Sequence, residues 1–86
     1  MFNLIQRYMS KISKEDINNF AIKKNINLNE NELDFTYNFI KKNWNQILSN
    51  PNMLNLDRYK SNYSDENFNK IKILFNEYYS KYHRFL

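Results

Sequence analysis

Apolar residues recur along this chain at spacings of three and four, the repeat that gathers them on one face of an α-helix. Phe2, Ile5, Tyr8, Met9 and Ile12 form the first stripe and predict a helix from Phe2 to Lys11. Ser13-Lys14-Glu15-Asp16 reads as the next helix start. The Ser hydroxyl accepts from an amide three residues on, and acidic side chains suit the positive helix end. A short second helix is expected over Lys14 to Lys24, with Ile17, Phe20 and Ala21 facing inward. Asn25 stands where a left-handed C-terminal cap belongs, in place of a glycine. Ile26 and Leu28 alternate with Asn25, Asn27 and Asn29. So short a stretch is a loop pinned to the core by two apolar side chains.

A third helix opens at Asn29, with Glu32 completing a capping box, and runs to about Leu48. Leu33, Tyr37, Ile40, Trp44, Ile47 and Leu48 fall within an arc of about 100°, a strong core stripe. Asn50 before Pro51 ends the helix, because the residue before proline is pushed out of the α region. Residues 50–63 are the least regular part, with Met53, Leu54 and Leu56 expected inward and a turn at Asp57-Arg58-Tyr59. A fourth helix starts at Ser64 and runs toward Tyr82, with Phe68, Ile71, Leu74, Phe75, Tyr78, Tyr79 and Tyr82 on one face. The expected fold is one all-α domain over 1–86: a compact four-helix unit, two short N-terminal helices and two long ones joined by an irregular loop.

Composition narrows the function classes. Seven Phe, seven Tyr and one Trp supply the apolar area that a core of 86 residues needs. The absence of cysteine excludes disulfides, thiol nucleophiles and thiolate metal sites. The absence of glycine removes the phosphate-cradling loops, which need close backbone approach. No apolar run reaches the length of a membrane span, the first residues lack a signal-peptide core, and a cytoplasmic protein is expected. Asn makes up about a fifth of the chain, interleaved with core positions as A/T-rich codon usage produces, not clustered as in a prion-like tract.

The net charge of +4 invites a nucleic-acid reading. Most of the charge is placed as helix dipoles favour: Glu15, Asp16, Glu30, Glu32, Asp65 and Glu66 in first turns, Lys23, Lys24, Lys81 and Arg84 in last turns. Lys41 and Lys42 lie mid-helix and stand apart. The candidate nucleic-acid contacts are therefore Lys23, Lys24, Lys41 and Lys42. If the fourth helix returns antiparallel beside the third, Lys23, Lys24, Lys81 and Arg84 share one end with Glu30, Glu32 and Asp34. A helix-turn-helix is disfavoured, because Glu30, Glu32 and Asp34 would repel phosphate at the start of the reading helix.

No catalytic, metal or cofactor site is expected. His83 is the single histidine and has no cysteine or carboxylate cluster nearby in sequence. The Glu30-Glu32-Asp34 stretch lacks the ligand spacing and turn of a calcium loop. Carboxylates in first turns are expected to be exposed, without the burial that acid–base work requires. One feature is unexplained by a single core: Phe35 and Phe39, four apart, form a ridge more than about 100° from the main stripe of their helix. Two readings stand. Either another part of the chain, the first helix or the 53–56 segment, covers the ridge, or it is an exposed patch for a protein partner or a second copy. Ile22 and Ile73 are weaker outliers of the same kind. A non-enzymatic protein-interaction module is the expected function, with an RNA- or ribosome-associated protein as the alternative.

The order of elements resembles a small uncharacterised bacterial helical family, domain of unknown function 2624. The resemblance rests on Ile12-Ser13-Lys14-Glu15-Asp16-Ile17, Phe20-Ala21, Ile26-Asn27-Leu28-Asn29 and Ile73-Leu74-Phe75-Asn76-Glu77-Tyr78-Tyr79, spread over nearly the full chain. These are capping and core positions. Asn50-Pro51-Asn52-Met53-Leu54 departs from the family's more Phe- and Arg-bearing segment. The resemblance implies a helical fold and no activity.

Overall fold

The computed structural model describes residues 2–49 and 54–82, with the side chains of Phe2, Asn3, Ile5, Leu48, Lys81 and Tyr82 excepted. The expectations for Asn50, Pro51, Met53, His83 and Arg84, and for those six side chains, lie outside the described residues. The elements are α1 (Phe2–Lys11), α2 (Lys14–Lys23), α3 (Glu30–Ser49), a 3-10 helix (Leu56–Asn62) and α4 (Asp65–Tyr82). No strand occurs among the described residues. The all-α fold with two short and two long helices is as the periodicity predicts.

The helix ends follow from local chemistry. Asp16 N–H donates to Ser13 Oγ at 3.1 Å and Ser13 N–H to Asp16 Oδ2 at 3.0 Å, a reciprocal capping box that starts α2. Asn25 ends it with φ of 64°, the left-handed region. Asn25 N–H reaches Ile22 O at 2.9 Å and Ile26 N–H reaches Ala21 O at 2.8 Å, the two bonds of a Schellman motif. Asn serves here because its short polar side chain tolerates positive φ better than other non-glycine residues do. Buried Ile26 supplies the apolar contact that accompanies the motif.

The buried apolar residues among those described are Ile12, Ile17, Ala21, Ile26 and Phe68. They place the tight core at the α1–α2 junction, along α2 and at the start of α4. Tyr8 was expected in the first stripe but is 60% exposed. Ile12 lies past the end of α1, so the chain has turned before it and the two do not share a helical face. Phe20 is also more exposed than its stripe predicts. It sits at the edge, 6.2 Å from the Tyr78 ring, with Lys24 Nζ 5.8 Å from its own ring centroid and 5.4 Å from that of Tyr78. Ile22 and Ile73 are exposed, at 54% and 59%.

Helix α4 does not run antiparallel to α3. Its cap, Ser64, lies beside Glu32 in the first turn of α3, with Ser64 N–H donating to Glu32 Oε2 at 2.7 Å. The two long helices therefore start at the same end. From there α4 follows α2 in the reverse direction: Asn67 Nδ2 reaches Asn27 O, Lys70 Nζ reaches Asn25 O, and Tyr78 meets Phe20. The start of α4, and not its end, therefore lies beside Glu32, although the Lys24 side chain still reaches the Tyr78 ring at 5.4 Å. The segment after α3 makes the return. Tyr59 packs on Phe39, and further along Tyr63 packs on Phe35, one helical turn nearer the start of α3. The 3-10 helix thus climbs back along the ridge face of α3 and delivers Ser64 to Glu32.

Candidate functional site

The site is built on the face of α3 that carries Phe35 and Phe39. The two rings stack on each other at 6.0 Å. Tyr59 meets Phe39 edge-on at 4.7 Å and tilts against Phe35 at 5.8 Å, and Tyr63 meets Phe35 edge-on at 5.7 Å. Offset and edge-to-face arrangements suit the ring quadrupoles, each such pair adding about 0.5–1.5 kcal/mol beyond area burial. All four rings are half-buried. The ridge is thus neither fully covered nor fully exposed: among the described residues the return segment covers it in part, through Tyr59 and Tyr63.

Behind these rings lies a partly enclosed cavity of about 250 Å³ between α3, the 3-10 helix, α4 and Met9 of α1. Ile40, Trp44 and Ile47 of α3 and Phe68, Ile71 and Phe75 of α4 line it with the four rings. This explains why the later part of the predicted stripe of α3 is only half-buried: Ile40, Trp44 and Ile47 flank a space instead of closing on a neighbour. No carboxylate, lysine, arginine or histidine lines the cavity among the described residues. The hydroxyls of Thr36 and Tyr63 are engaged. Thr36 Oγ1 donates to Glu32 O at 2.7 Å, which leaves the Tyr63 phenol to donate to Thr36 at 2.6 Å. Burial pushes the Tyr63 phenol above its ordinary pKa, and the charge on Glu32 adds to this while Thr36 offsets part. The phenol stays protonated at neutral pH. Such a lining holds apolar groups by shape and dispersion.

Glu32 anchors the upper end of this face. It is 2% exposed, the only buried side chain of α3 among the described residues, where a first-turn carboxylate is expected to be solvated. Oε1 accepts Asn29 N–H at 2.8 Å and Asn67 Nδ2 at 2.8 Å, and Oε2 accepts Ser64 N–H at 2.7 Å. Burial opposes its ionisation, but these donors outweigh that and hold the carboxyl below the ordinary value of 4.5. The capping box signalled the bond to Asn29. The bonds to Ser64 and Asn67 come from residues more than thirty positions away and left no local signal.

The four candidate lysines do not form one surface. Lys41 Nζ donates to Ser10 O at 2.6 Å near the carbonyl end of α1, and lies 6.0 Å from the Tyr37 ring. Lys14 pairs with Asp34 and flanks the same ring at 5.9 Å. The hydrogen bond and charge of Asp34 raise the Lys14 pKa. Lys24 is held over two rings at the far end of α2, a helix of ten residues and so about 15 Å long. Lys23 and Lys42 are exposed. Among the described residues no group of His, Asp or Glu is placed to hold a metal ion. No described helix is long and apolar enough to cross a membrane.

No family model, curated protein or solved structure matches the chain.

Proposed function

We propose that this chain is a small, cytoplasmic, non-enzymatic protein-interaction module whose binding surface is the Phe35–Phe39–Tyr59 face of α3. The observation that carries this reading is the half-open, carbon-lined cavity of about 250 Å³ behind half-buried rings. A monomer of this size gains most by closing its core. A space flanked by Trp44, Ile47 and Phe75 instead is suited to an apolar side chain from outside, and aromatic residues dominate the energetics of such contacts. Membership of the small bacterial family that the sequence resembles belongs to the same proposal and brings no competing activity.

The test uses a photo-crosslinking amino acid in place of exposed Asn38, which lines the groove beside Phe35 and Phe39, with exposed Glu15 as the control position. Neither substitution removes a packed ring, so the fold is retained. A discrete adduct from position 38 and none from position 15, in the native cell, is expected. Equal labelling at both positions, or no adduct at either, overturns the proposal.

A further inference from the structure

The rim of the aromatic site carries charge of one sign. Outside the cavity lie a shallow groove of about 370 Å³ and a partly enclosed pocket of about 160 Å³, both walled by the Phe39 and Tyr59 rings. Lys42 lines the first and Arg58 the second. Lys42 follows Phe39 by three residues on the same helical ridge, and Arg58 immediately precedes Tyr59. Both cations are exposed, and neither has an ion-pair partner among the described residues. No Asp or Glu lines the cavity, the groove or the pocket among the described residues. The carboxylates nearest in sequence are engaged, Asp34 by Lys14 and Asp57 by Lys72.

We infer that the occupant of this site is an acidic protein segment, which sets an apolar side chain against the Phe39–Tyr59 ring pair and brings flanking carboxylates to Lys42 and Arg58. The inference rests on the interaction reading above and adds the chemistry of the partner. A second copy of this chain fits poorly. A two-fold contact through one patch sets that patch against itself and gathers Lys42 and Arg58 of both copies in a chain that already carries +4. Nucleic acid fits less well than an acidic segment. The rings are half-buried and packed on one another, so they offer no row of free faces for stacking, and Lys24 and Lys41 are engaged elsewhere.

The probes are labelled peptides alike except in charge: a central Leu-Phe pair flanked by Glu, by Gln or by Lys. Fluorescence anisotropy is expected to show the Glu peptide binding about tenfold tighter than the Lys peptide, as a few rim charge contacts provide. The preference should shrink once salt shortens the Debye length below about 8 Å. A Lys42→Glu, Arg58→Glu double variant with an unchanged helical spectrum should reverse the order. Equal binding of all three peptides, lost in a folded Tyr59→Ala variant, overturns the acidic partner and leaves the interaction surface standing. Binding of no peptide also overturns it, and the crosslinking at position 38 then judges the surface separately. Tighter binding of oligouridylate than of the Glu peptide, or a dimer in sedimentation velocity, overturns it in favour of nucleic acid or a second copy.

Discussion

Glu32 and Ser64 join the starts of the two long helices through a carboxylate–amide hydrogen bond of 2.7 Å. The same carboxylate caps α3 through Asn29 and holds Asn67, which in turn donates to Asn27 O in the loop after α2. One buried group therefore fixes three segments. Glu32→Ala should cost about 3 kcal/mol, because it leaves buried donors unpaired as well as removing charge-assisted bonds. Glu32→Gln should cost less. Its oxygen can keep the Oε1 bonds to Asn29 and Asn67, while its NH2 faces the Ser64 N–H. Urea denaturation of the three proteins checks the order.

The same group sets an acid dependence. Its folded pKa lies below the ordinary 4.5, so its contribution to stability is fully present above that value. As pH falls through the depressed folded pKa the carboxylate protonates and the contribution is lost. The stability difference between the native chain and Glu32→Gln should accordingly be constant near neutrality and narrow below about pH 4.5. A difference that stays constant down to the acid transition sinks the assignment.

Asn25 supplies the positive φ that α2 needs in order to end. Asn25→Gly should stabilise the fold or leave it unchanged, since glycine adopts that conformation freely. Asn25→Ala should destabilise it by about 1 kcal/mol, the steric cost of a Cβ there. Thermal unfolding of the pair gives the sign directly, and an alanine variant as stable as the glycine one contradicts the cap.

Lys41 and Lys42 are adjacent and chemically identical, yet the structure separates them. Lys41→Ala removes the bond to Ser10 O and should lower stability by about 0.5–1 kcal/mol. Lys42→Ala should leave stability unchanged. If the four lysines instead serve an RNA contact, each single removal should weaken RNA binding and reduce its salt dependence. Melting curves and salt-dependent filter binding on both variants separate the two roles.

Most of the fold is written in local patterns. Reciprocal Ser13–Asp16 and Asn29–Glu32 caps, the Asn25 turn and the helical stripes are all set by neighbours within about four residues, the range over which helix chemistry acts. The direction of α4 is not. It depends on how residues 54–64 lie on Phe35 and Phe39, and an irregular segment carries no period from which to read this. The Phe35–Phe39 ridge was legible as unusual because it breaks the main stripe. Its cover was not, although Tyr59 and Tyr63 share the same spacing of four. The burial of Glu32 was hidden for a related reason: a capping box looks the same in sequence whether its carboxylate faces water or a second helix.

The return path of the 3-10 helix also bears on the order of assembly. Contacts between α2 and α3, such as Lys14 with Asp34, join residues of modest sequence separation and are cheap in loop entropy. The Glu32–Ser64 bond closes a loop of 32 residues, and it exists only once the chain has climbed back along α3. On this ground α2 and α3 are expected to pair first and the aromatic face to be sealed later. Mutations at Tyr59 or Ser64 should then speed unfolding and leave the folding rate nearly unchanged, whereas mutations at Ile17 should slow folding. The surface proposed to meet a partner would then be the part of the molecule that is completed after its scaffold.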